Sequence, residues 1–271
     1  MSQHPALQSG NVAVITGAAD GIGLAVARRL DALGLRLVLA DIDGAKLEQA
    51  AAGLGEVVTA VTDVTSLPDL QALQNKASAS YGRVDVLMNN AGTVDHCSSW
   101  ENYEAWQRVL NTNLWGVING VHAFLPAMLE QGTPGLIINT GSKQGITCPP
   151  GNPAYNVSKA GVKAVTEALQ HQLRNTEGSQ LDAHLLVPGF VYSGMVRRWL
   201  PEKPDGTGAG RSICSRKRAA SCRLSPLRPD SSGTCNVVAP ATRSCTTIRA
   251  GAFRQISGRS RSSTPVRGRV S

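Results

Sequence analysis

The chain has 271 residues, of which 42% are hydrophobic and 17% charged, which is enough for one large domain with a substantial core. Its net charge of +8 would favour a nucleic-acid partner, but residues 1–203 hold 14 Lys and Arg against 17 Asp and Glu. The basic excess therefore belongs to residues 204–271, and the main part of the chain has no charge that favours nucleic acid.

Signals for export, membranes and metals are missing from the sequence. The six cysteines show neither the paired spacing of a zinc site nor a disulfide framework. Residues 1–10 lack the charged start and apolar stretch of a signal peptide, and no run approaches the ~20 apolar residues of a membrane span. We therefore expect a cytoplasmic protein without a metal site.

The first forty residues follow the pattern of a dinucleotide-binding unit. An apolar run at 12–15 predicts a buried strand, residues 16–23 form a glycine-rich turn, and residues 22–33 have helical spacing. A second strand is predicted at 35–40, and Asp41 follows it. Glycines let the backbone approach a pyrophosphate, and the helix N-terminus offers it free N–H groups. The alternative is a tight turn that binds no ligand.

Strands and helices continue to alternate. The pattern predicts helices at 45–52, 66–81 and 154–176, and strands at 57–61, 84–88, 136–139 and 181–187. The helical stretch at 102–131 is long, which favours two helices that meet near Asn111. Six strands alternating with helices predict an α/β fold with a Rossmann-like, doubly wound parallel sheet.

Polar groups follow the predicted strands. Ligands of doubly wound sheets bind outside the carboxyl ends of the strands, so these groups indicate one crevice that is long enough for a dinucleotide. The groups are the glycine turn, Asp41, Asp63, Asn90, Ser142 and the pair Pro188-Gly189.

The helix predicted at 154–176 carries Tyr155 and Lys159 one turn apart on the same face. A free tyrosine has a pKa near ~10, too high for a base at neutral pH. A neighbouring ammonium favours the phenolate, so we expect Lys159 to lower the pKa of Tyr155. On its own, this spacing also occurs by chance in amphipathic helices.

In residues 10–200 the chain resembles the short-chain dehydrogenase/reductase family. The resemblance rests on an ordered set of motifs: T-G-x-x-x-G-x-G at 16–23, N-N-A-G at 89–92, Asn113 in a helix, Ser142, Tyr155, Lys159 and Pro188-Gly189. It implies that Tyr155 exchanges a proton with the substrate oxygen, which Ser142 also hydrogen-bonds. It further implies that Lys159 holds the nicotinamide ribose and that Asn113 positions a water. The alternatives are a strand-turn cap for Ser142 and a purely structural role for Asn113 at a helix kink.

The resemblance also implies which cofactor is bound and which residues hold it. Asp41 would accept hydrogen bonds from ribose hydroxyls and repel a 2′-phosphate, and Asp20 stands where NADP-preferring relatives often carry arginine, so we expect NAD. The residues expected to hold NAD are Gly17, Asp20, Gly21, Ile22, Gly23, Asp41, Asp63, Val64, Asn90, Ala91, Gly92, Tyr155, Lys159, Pro188, Gly189, Val191 and Ser193.

The substrate is expected to be a small hydrophobic secondary alcohol or ketone, because the loops expected to line its site are mainly apolar. Lys143 either meets an acidic group of the substrate or stays solvated. An acyl-chain keto reductase, which would normally prefer NADPH, is the alternative enzyme. The lining residues expected are Val94, His96, Ile146, Tyr192, Met195 and Trp199.

The pattern stops after Lys203. The family would continue with a substrate lid, a helix and a seventh strand, whereas residues 204–271 hold 12 Arg and 12 Ser without strand or helix periodicity. We expect a catalytic domain at 1–203 and a mobile basic tail at 204–271. The tail is either the product of an out-of-frame reading or a segment that binds polyanions. In the second case the protein could be a catalytically silent dinucleotide-binding scaffold.

The same resemblance also implies an oligomeric state. It implies that the long helices around 113–131 and 154–176 pack against their copies in a second subunit, through apolar positions such as Leu114, Val117, Val121, Val162, Val165 and Leu169. We therefore expect that a homodimer is possible. A tetramer, which usually depends on the seventh strand, is not expected.

Overall fold

The computed structural model describes residues 3–191, which form a six-stranded parallel sheet with helices on both faces. The strands are β1 (Val12–Thr16), β2 (Arg36–Asp41), β3 (Val57–Val61), β4 (Val86–Asn89), β5 (Gly135–Thr140) and β6 (Leu181–Leu186). The helices are α1 (Gly21–Asp31), α2 (Gly44–Ala51), α3 (Leu67–Tyr81), α4 (Tyr103–Leu110), α5 (Gly116–Glu130), α6 (Gln144–Thr147) and α7 (Pro153–Asn175). A short 3₁₀ helix, Pro5–Leu7, precedes them. The strand order β3-β2-β1-β4-β5-β6 confirms the predicted doubly wound fold.

The central strand β1 shows why both faces of the sheet are covered, since all five of its residues are buried. Val14 contributes to a core on one face that includes Phe124 of α5. Ile15 contributes to a second core on the other face, with Leu30 of α1 and Leu47 of α2. Because every strand is parallel, all of the carboxyl ends meet along one edge of the sheet, where the site is found.

Two element boundaries have local causes. The predicted break near Asn111 is confirmed, because a π-helical turn, Asn111–Trp115, joins α4 to α5. Strand β4 begins at Val86, two residues later than predicted. The fully buried Asp85 precedes it; its carboxylate accepts a hydrogen bond from the backbone N–H of Val12 (2.9 Å) and pairs with Arg83.

Three of the six expected interface positions lie inside the protomer. Val117, Val162 and Leu169 are only 2%, 0% and 4% exposed, so the prediction that they meet a second copy is wrong. These three are buried because α5 and α7 pack on the sheet with these faces. For Leu114, Val121 and Val165, which are half-buried, it stays a prediction. The large apolar residues that these segments expose are Trp115 in the π-helical turn and Val157 in α7.

Several expectations fall outside residues 3–191. They concern Ser193, Tyr192, Met195 and Trp199, the lid and seventh strand, and the tail at 204–271. Within the described range, no helix is both long and apolar enough to cross a membrane.

Candidate active site

The turn between β1 and α1 is shaped so that only glycine fits at two positions. Gly17 has φ +65°, and a Cβ there would lie 2.7 Å from Cα of Ala91. A Cβ at Gly23 would lie 2.2 Å from the carbonyl oxygen of Gly17. Glycine at these two positions therefore lets the turn pack closely on Ala91 and on itself, beside the N-terminus of α1, where Asp20 is the N-cap and Ile22 lies in the first turn.

Asn90 joins the ends of three strands. Its side-chain amide donates to the carbonyl oxygens of Thr16 and Gly17 (3.1 Å each), and its backbone N–H donates to Oγ1 of Thr16 (3.0 Å). Its Oδ1 accepts from the hydroxyl of Thr140 at the end of β5 (3.3 Å). Asn90 thus fixes the glycine turn against the segment that continues into Ala91 and Gly92.

Two carboxylates lie at the ends of neighbouring strands β2 and β3. The carboxylate of Asp41 accepts from the backbone N–H groups of Ala19 (3.0 Å) and Asp43 (3.1 Å), so it is held beside the glycine turn. Asp63 accepts from the backbone N–H (2.9 Å) and hydroxyl (2.8 Å) of Thr65. Val64 follows it and is 7% exposed. A carboxylate oxygen accepts more than one hydrogen bond, so Asp41 retains acceptor capacity for ribose hydroxyls.

Asn113 lies in the π-helical turn and is fully buried. Its Oδ1 accepts from the backbone N–H of Thr93 (2.7 Å), and its Nδ2 donates to the Thr93 carbonyl (2.9 Å) and to Oγ of Ser158 (3.1 Å). The side chain therefore links the segment after Gly92 to helix α7. Sequence reasoning included Asn113 but missed Ser158.

Ser142, Tyr155 and Lys159 come together at the carboxyl end of β5. Ser142 lies close enough to the Tyr155 hydroxyl to favour the ionised phenol. Nζ of Lys159 lies 5.7 Å from the centroid of the Tyr155 ring and donates to the carbonyl oxygen of Thr140 (2.8 Å). Lys159 is 4% exposed, so its ammonium lies in a site from which water is largely excluded.

Burial controls the electrostatics of this site. It raises the pKa of Tyr155, and the neighbouring Ser142 side chain opposes the rise. Burial also lowers the pKa of Lys159 from 10.5 to about 8. The net shift of the Tyr155 pKa is therefore upward, opposite to the lowering that we expected, and Lys159 is not among its causes. The neutral phenol is favoured because desolvation of the phenolate outweighs the stabilisation that its neighbours supply.

The loop between Ser142 and Tyr155 rests on α7. A Cβ at Gly145 in α6 would lie 2.5 Å from the backbone carbon of Lys159, whereas Ile146 beside it is 58% exposed. Three buried side-chain oxygens of this region have no hydrogen-bond partner within residues 3–191. They belong to Gln144, Asn152 and Asn156.

The segment after β6 closes this side of the site. The carbonyl oxygen of Pro188 accepts from the backbone N–H of Lys143 (3.3 Å), so the pair Pro188-Gly189 lies beside the residue that follows Ser142. Val191 follows in the same segment and is half-buried. Lys143 and His96 are both exposed.

A glycine cradle at the switch point of a doubly wound sheet, with a hydroxyl–phenol–ammonium group beside it, defines a nicotinamide-dependent oxidoreductase. Residues 11–204 match the family model described as short chain dehydrogenase. The chain belongs to the short-chain dehydrogenase/reductase family.

Similar proteins span most of the chain. It is 36% identical over 208 residues to 1-deoxy-11-beta-hydroxypentalenate dehydrogenase of Streptomyces exfoliatus, covering 74% of each chain. It is 36% identical over 207 residues to 3-oxoacyl-[acyl-carrier-protein] reductase of Thermotoga maritima, covering 74% of this chain and 82% of the relative. A crystal structure of a short-chain dehydrogenase/reductase from Burkholderia phymatum in complex with NAD is 38% identical, with a TM-score of 0.67 and coverage of 75% and 74%.

Proposed function

We propose that the protein is an NAD-dependent alcohol dehydrogenase or carbonyl reductase that interconverts a hydrophobic secondary alcohol and its ketone. One observation carries the proposal: the buried ammonium of Lys159 lies 5.7 Å from the centre of the Tyr155 ring, and Ser142 acts on the hydroxyl of the same phenol. A substrate oxygen placed at Tyr155 and Ser142 would meet a proton donor and a second hydrogen-bond donor together.

Each of these residues has one task in the proposed reaction. Tyr155 gives a proton to the ketone oxygen, or takes it from the alcohol, and Ser142 stabilises the charge that develops on that oxygen. Lys159 holds the ribose next to the nicotinamide, and Asn113 positions a water that connects Lys159 to solvent. The nicotinamide, when bound, supplies or accepts the hydride. Because burial raises the pKa of Tyr155, the phenol holds its proton at neutral pH and can donate it in ketone reduction, whereas the rate of alcohol oxidation is expected to rise with pH as the phenolate forms.

The cradle residues support NAD over NADP. Asp41 lies beside the glycine turn, where its charge would repel a 2′-phosphate. The similar protein from Burkholderia phymatum was solved in complex with NAD. The residues that would hold the cofactor are Gly17, Asp20, Gly21, Ile22 and Gly23 at the pyrophosphate, Asp41, Asp63 and Val64 at the adenosine, and Asn90, Ala91, Gly92, Pro188, Gly189, Val191 and Ser193 toward the nicotinamide.

A second candidate is an acyl-chain keto reductase that uses NADPH. Its support is the 36% identity to a 3-oxoacyl-[acyl-carrier-protein] reductase. Asp41 disfavours it for the reason just given. The ratio of kcat/KM with NADH to that with NADPH separates the two candidates, since the first requires a ratio well above one.

The test is turnover of the full chain with NAD and a panel of secondary alcohols, and with NADH and the matching ketones. Tyr155→Phe is expected to lower kcat by ~10²-fold or more while NAD still binds, because only the hydroxyl carries the proton. Tyr103→Phe is the matched control, since Tyr103 is 70% exposed and lies outside the site. Retention of more than about a tenth of the rate by Tyr155→Phe would refute the role given to this residue.

We also propose the cellular location, the partners and the assembly of the enzyme. We place the enzyme in the cytoplasm, acting on a small molecule and without a nucleic-acid partner. A homodimer is its proposed assembly.

A further inference from the structure

Ser158 lies between Tyr155 and Lys159 in the sequence, and its buried hydroxyl makes two hydrogen bonds. The residue is fully buried in α7. Its Oγ donates to the backbone carbonyl of Tyr155 (2.8 Å) and accepts from Nδ2 of Asn113 (3.1 Å). A single hydroxyl therefore joins the turn of α7 that carries the phenol to the π-helical turn.

The orientation of the Asn113 amide is fixed by its partners. The N–H of Thr93 can only donate, so Oδ1 of Asn113 must face it, and Nδ2 then points to the Thr93 carbonyl and to Ser158. Both amide hydrogens are thereby used. A continuous series of hydrogen bonds runs from Thr93, just after the Asn90–Gly92 segment, through Asn113 and Ser158 to the backbone of Tyr155.

We propose that Ser158 is a positioning residue, which sets the distance between the π-helical turn and the Tyr155–Lys159 turn; this inference rests on the proposed function. Without the hydroxyl, one hydrogen of the buried Asn113 amide loses its acceptor, which is costly unless the side chain moves. Movement of Asn113 would shift the π-helical turn relative to α7. A displacement of about 1 Å in an active site can cost up to ~10²-fold in rate.

The same helix provides a matched control. Thr166 is 1% exposed, donates to the carbonyl oxygen of Val162 (2.7 Å) and accepts from Nδ2 of Asn139 (3.1 Å). It thus makes the same two kinds of hydrogen bond as Ser158, two turns farther along α7. Ser158→Ala and Thr166→Val each remove a hydroxyl and keep most of the volume of the side chain.

The experiment compares these two variants with the wild type in stability, kinetics and amide exchange. Both are expected to lower the urea midpoint by similar amounts. Only Ser158→Ala is expected to lower kcat, by about ten-fold or more, with a small change in KM and a displaced pH profile. It is also expected to speed hydrogen exchange at the Thr93 amide, whose acceptor is Asn113, and this readout needs no turnover. Ser158→Cys, which fills the space with a poor acceptor, is expected to be slow as well.

The outcomes separate the inference from the proposed function. If Ser158→Ala has the kcat, the pH profile and the Thr93 amide exchange rate of the wild type, the inference is overturned. The proposed function would still be supported in that case by turnover of the parent protein. An equal loss of kcat in Thr166→Val would overturn it too, because the role of Ser158 would then be merely structural. A parent protein that turns over none of the alcohols or ketones would refute the proposed function, and the positioning role with it.

Discussion

Replacement of Lys159 by methionine is expected to stabilise the protein while it abolishes turnover. Burial lowers the pKa of Lys159 from 10.5 to about 8. A pKa that is lowered by one unit corresponds to about 1.4 kcal/mol. Relative to the neutral amine, the charged side chain is therefore roughly 3 kcal/mol less favourable in the folded protein than in the unfolded chain. The substitution also removes the donor to the Thr140 carbonyl, which costs about 1–2 kcal/mol. The expected net gain at pH 7 is about 1–2 kcal/mol.

The pH dependence of this gain is the sharper test. Between pH 8 and 10.5 the unfolded chain holds the Lys159 proton more tightly than the folded protein does. The wild type therefore gains stability as the pH rises through this window, whereas Lys159→Met does not. The advantage of the variant is expected to be full below pH 8 and to shrink toward pH 10.5.

The assay is urea unfolding of both proteins at pH 7 and near pH 10, with thermal unfolding as a second measure. A gain of 1 kcal/mol corresponds to about 2–4 °C for a domain of this size. Lys163→Met is the control, because Lys163 lies one turn away on the same helix, is 41% exposed and pairs with Glu167. A Lys159→Met variant that is less stable than the wild type at pH 7, or a difference that does not change with pH, would refute the reasoning.

Four further predictions concern specificity, stability, assembly and the tail. Asp41→Ala is expected to narrow or reverse the preference for NAD, and equal kcat/KM for NAD and NADP in the parent would contradict the role of Asp41. Asp85→Ala is expected to destabilise by about 2–3 kcal/mol, because a buried N–H and Arg83 lose their acceptor, whereas Asp95→Ala, at an exposed ion pair, should cost less than about 1 kcal/mol. Light scattering is expected to show a dimer, weakened by Trp115→Asp, and a stable tetramer would contradict this. The coding DNA after codon 203 is expected to encode a helix and an apolar strand in another frame, and if neither alternative frame does so, the out-of-frame explanation fails.

Much of this architecture could be predicted from the sequence, because its signals are local. The apolar runs, the glycine turn and the acid after the second strand are each short stretches of sequence, and the alternation of strands with helices predicted a parallel, doubly wound sheet. The Tyr155–Lys159 spacing placed both side chains on one face of α7 in the same way.

The parts that were missed depend on contacts distant in sequence. The sign of the Tyr155 pKa shift depends on how deeply the loop and the helix together bury the phenol, which periodicity does not reveal. Val117 and Val162 looked like interface positions, because an apolar stripe has the same spacing whether it meets its own sheet or another subunit. No sequence pattern indicates the role of Ser158, because this role depends on a hydrogen bond from Asn113, which lies 45 residues away.

The close contact between Gly145 and the backbone of Lys159 distinguishes substitutions that would disturb helix α7 from substitutions in the same loop that would not. The loop touches the helix through a residue without a side chain, while its neighbours Ile146 and Cys148 are exposed. Under the proposed function, new side chains at these exposed positions are expected to alter which molecules are accepted and to leave Tyr155 and Lys159 where they are. We therefore expect that selection, natural or in the laboratory, can diversify the substrates of this scaffold at the exposed positions as long as Gly145 is kept.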